Sequence, residues 1–360
     1  MVACLASNHE PSSPNCLEPS LGWVRTSLSI VLIHINMMTV VIHIRLHYLI
    51  VPRATTVGLF VLLAVLWGSS FAAVRAALPY VPPLPLAALR FDIAGVLMLG
   101  YAIVTTDRWR PRSRQAWLGI GLGGLLFIAT HHSLLFIAQQ YVTSAVAAVV
   151  ISLDPVLAAA FSRILLPDER LSLLGGLGLG CGIVGVGVIA QPDSRQLVTA
   201  DVLGVALVFG AAAAFALGAV LTCRFWTELP VQTMQAWMML TGAPLLHLAS
   251  YLAPSASFIG AQWTMTAVAA LAYLAVVAGA GGYLLYFELL DRVGPIEINL
   301  VGYTVPLFAA LSGWIVLGET VAAQTIVGSL VIVIAFVLIK YRTITTELKA
   351  RIGAADNWRP

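Results

Sequence analysis

From Thr56 onward the chain is a succession of apolar runs, each about long enough to cross a bilayer, and nothing else in it constrains the fold as tightly. A helix crosses the hydrocarbon core with about 20 residues. Inside lipid every backbone N–H and C=O must be satisfied within the protein, so a chain of this pattern has to be helical. The runs predict ten helices, at 56–77, 84–105, 116–139, 144–166, 171–190, 202–224, 231–251, 265–290, 296–317 and 322–341. Proline, glycine or charge marks the breaks, as with Pro79, Pro82, Pro83 and Pro85 after the first helix and Pro167 to Arg170 after the fourth. Composition agrees, because only 10% of the 360 residues are charged, against about 25% in a soluble domain. The expected fold class is an all-α membrane protein with no separate aqueous domain.

Cytoplasmic loops of membrane proteins hold the excess of lysine and arginine. Counting from a cytoplasmic start, the inner loops hold Arg108, Arg110, Arg112, Arg114, Arg170, Arg224 and Arg292, and the tail adds Lys340, Arg342, Lys349, Arg351 and Arg359. The outer loops hold only Arg195. This bias places both ends of the ten-helix core in the cytoplasm and the protein in the plasma membrane. Trp109, Trp117, Trp226 and Trp263 fall near helix ends, where an interfacial aromatic belt forms.

The same scarcity of charge excludes function classes. The only lysines are Lys340 and Lys349, so no phosphate-binding G-x-x-x-x-G-K-[ST] loop can be written, and an ATP-driven pump is not expected. The net charge of +3 does not point to nucleic acid. Cys4, Cys16, Cys181 and Cys223 form no C-x-x-C pair, so no zinc site or disulfide framework is indicated. Neither a cofactor nor a metal is expected. The run Gly180 to Gly185 fits G-x-G-x-x-G but lies inside an apolar helix with no preceding strand, which removes the dinucleotide reading. Its G-x-x-x-G spacings predict close helix packing, either within the chain or in a homodimer.

Residues 1–55 stand apart. The stretch 27–51 is long and apolar enough to span, yet it contains His34, His43, Arg45 and His47. A central arginine costs about 2.5 to 3.5 kcal/mol on insertion scales. The preferred reading is a non-essential N-terminal extension.

The ten helices form a tandem. Pro155 in the fourth and Pro306 in the ninth are 151 residues apart (306 − 155), and the same offset pairs Phe136 with Phe287, Val142 with Val293 and Asp168 with Glu319. The domains are therefore expected at 56–190 and 202–341, followed by a cytoplasmic tail at 342–360. Because five is odd, the second unit enters the membrane from the opposite side. The resulting inverted repeats are the architecture of secondary transporters, whose substrate sites lie near the midplane between the halves.

The run Trp67-Gly68-Ser69-Ser70-Phe71 with Arg75, followed by Leu89-Arg90-Phe91, resembles the opening of an EamA-type repeat of the drug/metabolite transporter superfamily. So do the mid-helix prolines, each followed by an acidic residue in Pro167-Asp168-Glu169-Arg170 and Leu317-Gly318-Glu319-Thr320. The resemblance covers Thr56 to Arg342. It implies a ten-helix secondary transporter with a central cavity, moving small metabolites outward. Asp154 departs from that pattern, where a small neutral residue is expected.

Candidate transport residues follow from depth and polarity. Pro155 and Pro306 each remove a backbone hydrogen bond and free a carbonyl four residues earlier, making symmetry-related kinks. Asp154 lies some ten residues, or roughly 15 Å, from its helix end; an ionisable group at that depth is a functional candidate, here for binding a cation or taking up a proton. His131 or His132, on the antiparallel neighbour, is a candidate to pair with it. Trp67, Ser70, Phe71, Tyr283, Tyr286, Asn299 and Tyr303 are candidate cavity lining. Arg75 and Arg90 are read as shallow charges snorkelling at the outer mouth, with Asp92 as a partner for Arg75. Arg163 and Glu288 are read as an inner gate pair. The alternatives to a transporter are an intramembrane enzyme and a non-transporting scaffold.

Overall fold

The computed structural model describes residues 53–165, 173–191, 199–224, 229–253, 260–298 and 300–338. The readings of residues 1–52, the Asp168–Arg170 loop, Asn299 and the tail from 339 lie outside them. The described chain is helical throughout. Helix α1 spans Arg53–Ala77 and α2 Pro83–Thr105. Next comes one continuous rod: α3 (Arg114–Gly123), a π-helical segment π1 (Gly124–Thr130) and α4 (His131–Ala138). Then follow α5 (Ser144–Ile151), α6 (Asp154–Leu165), α7 (Leu173–Ala190), α8 (Ala200–Arg224) and α9 (Val231–Leu252). A second rod joins α10 (Met265–Ala272), π2 (Tyr273–Gly281) and α11 (Gly282–Ile298). The last two are α12 (Val301–Leu317) and α13 (Ala323–Leu338).

Among the described residues, six helical stretches are long and apolar enough to cross a membrane: Thr55–Ala77, Pro83–Thr105, Arg114–Ala138, Ser144–Leu165, Ala200–Thr222 and Met265–Gly294. Gly176–Ala190, Val301–Leu317 and Ala323–Leu338 are shorter apolar helices. Local chemistry sets the ends. Prolines open α2, where a missing amide costs nothing. Ser113, Thr143 and Thr264 cap α3, α5 and α10 by accepting the amides of Ala116, Val146 and Ala267 at 3.1 to 3.3 Å. Gly318, at φ +68°, closes α12 in a left-handed turn, with the Gly318 amide on Trp314 O and the Glu319 amide on Gly313 O.

One interior irregularity recurs in the two halves. The π segments occupy corresponding places, 124–130 and 273–281. The two prolines do not act alike. At Pro155 the kinked helix expected from sequence is instead a break: α5 stops at Ile151, Ser152 and Leu153 form a turn, and α6 restarts with Asp154 as its first residue. Proline is well tolerated in a first turn, and an acidic side chain is favoured there. Helix α12, by contrast, runs through a buried Pro306. A third interior proline, Pro244, sits within α9.

Packing joins the halves crosswise. Helix α1 lies against α10, π2, α11 and α12, while α8 lies against α4, π1 and α6. Helix α2 packs on α9 and π2, and α9 in turn on π1. The pattern maps onto itself when the halves are exchanged, as two structural repeats require. Small residues permit the approach, the usual route to tight packing where lipid competes for apolar contact. A Cβ at Gly68 of α1 would stand 2.8 Å from Val305 O of α12. A Cβ at Gly185 of α7 would stand 2.9 Å from Ile332 and 3.0 Å from Gly328 O of α13. The glycine seam is thus occupied within the chain at Gly182 and Gly185, while a Cβ at Gly180 or Gly187 would meet nothing within 4 Å.

Candidate functional site

Between the halves lies a polar and aromatic cluster assembled from α1, α2, α4, π2, α8 and α11. The π1 bulge delivers His131 and His132 into it, both buried. His131 Nδ1 donates to Ala211 O of α8 at 2.9 Å, and His132 Nδ1 donates to Phe127 O at 3.0 Å, within its own rod. A carbonyl only accepts, so Nδ1 carries a proton in both rings. The two rings meet edge to face at 4.5 Å. Phe91 of α2 stands 4.4 Å from His132, and Phe215 of α8 stands 5.2 Å from His131.

Arg90 is part of this cluster. Sequence position alone suggested a snorkelling charge at the mouth; the side chain is instead buried, at 8% exposure. Its guanidinium lies 5.1 Å above Phe91 and 5.8 Å above Phe136. It is within electrostatic reach of Tyr273 and Tyr283 and of both histidines. Among the described residues its Nε has no hydrogen-bond partner, and no carboxylate pairs with it. Distance along α2 fixed its depth, but α2 is apolar around most of its circumference, so nothing in the sequence showed which way position 90 points.

On the other side of the cluster Trp67 of α1 stacks on Tyr286 at 5.5 Å and meets Tyr283 edge-on at 5.8 Å. Gly282 makes room, because a Cβ there would stand 2.7 Å from Trp67 Nε1. Tyr273 of π2 shares a 2.6 Å hydrogen bond with Ser69 and donates to Leu66 O at 3.2 Å. Ser70 spends its hydroxyl on Trp67 O at 2.6 Å, and Phe71 is buried in the core.

Asp154 and the histidines do not meet. His131 and His132 are held by backbone carbonyls, and the Asp154 Oδ1 is buried without a partner among the described residues. Tyr303 of α12 is its electrostatic neighbour. That tyrosine has an equally unpartnered buried hydroxyl and packs its ring 4.4 Å from Phe336.

A different set of charges ties the halves together at the end of the bundle formed by Arg75, Gln139 and Ser144. The Gly318 turn delivers Glu319, whose Oε2 accepts the Ser144 amide at 2.9 Å and whose Oε1 lies 2.7 Å from Arg75 Nε as an ion pair. Arg75 also donates to Gln139 O at 2.9 Å and to Val142 O. Gln139 donates to Phe71 O at 2.9 Å. The partner expected for Arg75 from sequence, Asp92, is elsewhere: it pairs with His247 of α9 at 2.7 Å, both half-exposed on the perimeter. Arg163 and Glu288 do not pair either. Arg163 donates to Ala159 O one turn back at 3.0 Å, and Glu288 holds Arg292 in its own helix at 2.6 Å.

Sequence reasoning missed Tyr273, Phe215 and His247. The place of Tyr273, at the start of π2 opposite the start of π1, is visible only in the structure. At the far end of the bundle Trp237 donates to Trp109 O at 2.9 Å and stands 5.2 Å from Trp117, consistent with an interfacial belt.

Comparison with known proteins bears on both halves. The model of the EamA-like transporter family matches twice, at residues 54–191 and 202–341. The uncharacterized transporter YvbV of Bacillus subtilis is 27% identical over 84% of this chain and 96% of its own length. The uncharacterized inner membrane transporter YedA of Escherichia coli is 28% identical over 78% of this chain and 89% of its own. A probable amino-acid metabolite efflux pump of Salmonella typhimurium is 26% identical over 76% and 91%. One solved crystal structure shares the fold with a TM-score of 0.52 at 24% identity, covering 81% of this chain and 98% of that one.

Proposed function

The chain belongs to the EamA-like transporter family, and on that premise we propose that it is a secondary transporter exporting a small metabolite by alternating access. It does so with ten crossings in two inverted five-helix repeats at 56–190 and 202–341, both ends of this core in the cytoplasm. The observation that carries this reading is the crosswise packing of the halves around a shared polar cluster. Helices α1 and α8 each belong to one repeat and pack on the other, so a rocking motion opens one end as it closes the opposite one. The Arg75–Glu319 tie then holds the outer end shut, and the Trp109–Trp237 end faces the cytoplasm.

Asp154 supplies the coupling site in this reading. It begins a helix in mid-membrane, the discontinuous geometry found at ion and substrate sites of transporters, and its Oδ1 and the Tyr303 hydroxyl both lack partners. Ser144 to Leu165 is the only described crossing interrupted there by a turn, so a protonated and an unprotonated carboxyl stabilise different arrangements of α5 against α6. The transporter names of the relatives favour this over the intramembrane-enzyme and scaffold readings.

The test is flux in proteoliposomes with a proton-sensitive dye inside. Wild-type protein should acidify or alkalinise the lumen when substrate-bearing cell extract is applied. Asp154→Asn should insert and fold normally yet uncouple metabolite flux from protons, with pH-dependent transport reduced at least tenfold. Unchanged pH-dependent transport by that variant removes Asp154 from the mechanism, and absence of any metabolite flux in wild type defeats the transporter reading.

A further inference from the structure

We infer that Arg90 is the anchor for a carboxylate, so that the substrate is a small organic anion whose apolar part packs on the aromatic face formed by Trp67, Tyr283 and Tyr286. The proposal deepens the transport reading and rests on it for its physiological meaning, although the binding step stands by itself.

The argument begins with a missing partner. A buried guanidinium keeps its charge at any physiological pH, and burying a charge is tolerated where an opposite charge or hydrogen bonds replace water. Arg90 is nine-tenths buried, yet its Nε has no hydrogen-bond partner among the described residues, and its guanidinium lies over the Phe91 and Phe136 rings. The groups in electrostatic reach are the Tyr273 and Tyr283 hydroxyls and two histidines. None of these carries a negative charge at neutral pH. The carboxylate nearest in sequence, Asp92, is engaged with His247 on the perimeter. Asp154 neighbours Tyr303 instead.

The surroundings are what a carboxylate ligand needs. The planar guanidinium fork matches a carboxylate with two parallel hydrogen bonds. Tyr273 is already committed to Ser69 and Leu66 O, whereas the Tyr283 hydroxyl makes no hydrogen bond among the described residues and is free to donate. Tyr283 in turn meets the Trp67 ring, which stacks on Tyr286 and offers an apolar wall. The halves contribute unequally: Arg90 comes from the first repeat and Tyr283 from the second, so closure of the halves completes the anion site.

The test uses the full-length protein in detergent and reads its thermal unfolding. The probes are benzoate and indole-3-acetate, each at millimolar concentration in gluconate buffer, with benzamide and indole-3-acetamide as uncharged matches and chloride as an inorganic anion. The expected result is a rise of several degrees with at least one carboxylate and none with its amide. Arg90→Gln should lose that rise, and Arg90→Lys should keep part of it. Without ligand, Arg90→Gln should unfold at the wild-type temperature or above, because it removes an unpaired buried charge; a structural arginine predicts the opposite. The proposal is overturned if no carboxylate outperforms its amide, if Arg90→Gln responds like wild type, or if chloride alone reproduces the whole effect. Binding through Arg90 without flux in vesicles would defeat the transport reading and leave the anchor standing, whereas flux of a metabolite lacking any anionic group would do the reverse.

Discussion

Single side chains in this protein are informative in proportion to how poorly they are satisfied. Glu319 is tied across the halves: its Oε2 caps the Ser144 amide, and its Oε1, which makes no hydrogen bond among the described residues, is held by the ion pair to Arg75. Replacing Glu319 by Gln keeps an acceptor for Ser144 and removes the charge, so it should cost less stability than Glu319→Ala, which also orphans the amide, by about 1 to 2 kcal/mol. A double-mutant cycle of Arg75→Gln with Glu319→Gln should give a coupling of about 0.5 to 3 kcal/mol; additive effects would show that the two charges meet without holding the bundle. Asp154, Tyr303 and Arg90 each hold a buried polar atom with neither a hydrogen bond nor an ion pair among the described residues. Their legibility in sequence differed. Asp154 stood out because a carboxylate in the middle of an apolar run has no ordinary explanation. Arg90 was misplaced because depth can be counted along a helix, but direction around its axis needs an amphipathic pattern that α2 lacks. His247 passed unnoticed for a related reason: its partner Asp92 is 155 residues away, and pairing at that range leaves no local signature.

At the scale of elements, the positions of the helices were readable and their interior faults were only partly so. Apolar run length and proline-rich breaks placed α1, α2, α8 and α9 to within a few residues of their observed ends. The break before Pro155 was legible as a disturbance but not as a restart, since proline is equally at home in a kink and in a first turn. The π segments left no mark in the sequence. They are nevertheless what turns His131, His132 and Tyr283 toward the cluster, and π-bulges are frequent at functional positions. Close approach at the glycines gives a sharper expectation. Gly68→Leu should destabilise the fold by more than 2 kcal/mol, because the added side chain meets α12 backbone that cannot withdraw. Gly180→Leu, with open space around it, should change unfolding by under about 0.5 kcal/mol. If Gly180→Leu instead dissociates a detergent-solubilised dimer, that face of α7 is the homodimer seam.

For the whole molecule, the two halves have no separate cores. Helices α1 and α8 each find most of their neighbours in the other repeat, and α2 finds its partner in α9. A chain cut between α7 and α8 should therefore yield two fragments that are degraded when expressed alone and co-purify when expressed together. Recovery of either fragment as a folded monomer would contradict this. The same interlocking governs inheritance. At Gly68 the room taken by Phe308 in the second copy exists only because the first copy gives it up, so a gain in volume on one side has to be met by a loss on the other. Copies bound in this way cannot drift as independent duplicates: their differences accumulate in complementary pairs, and a recombination event that made them identical again would break the protein it restored to symmetry.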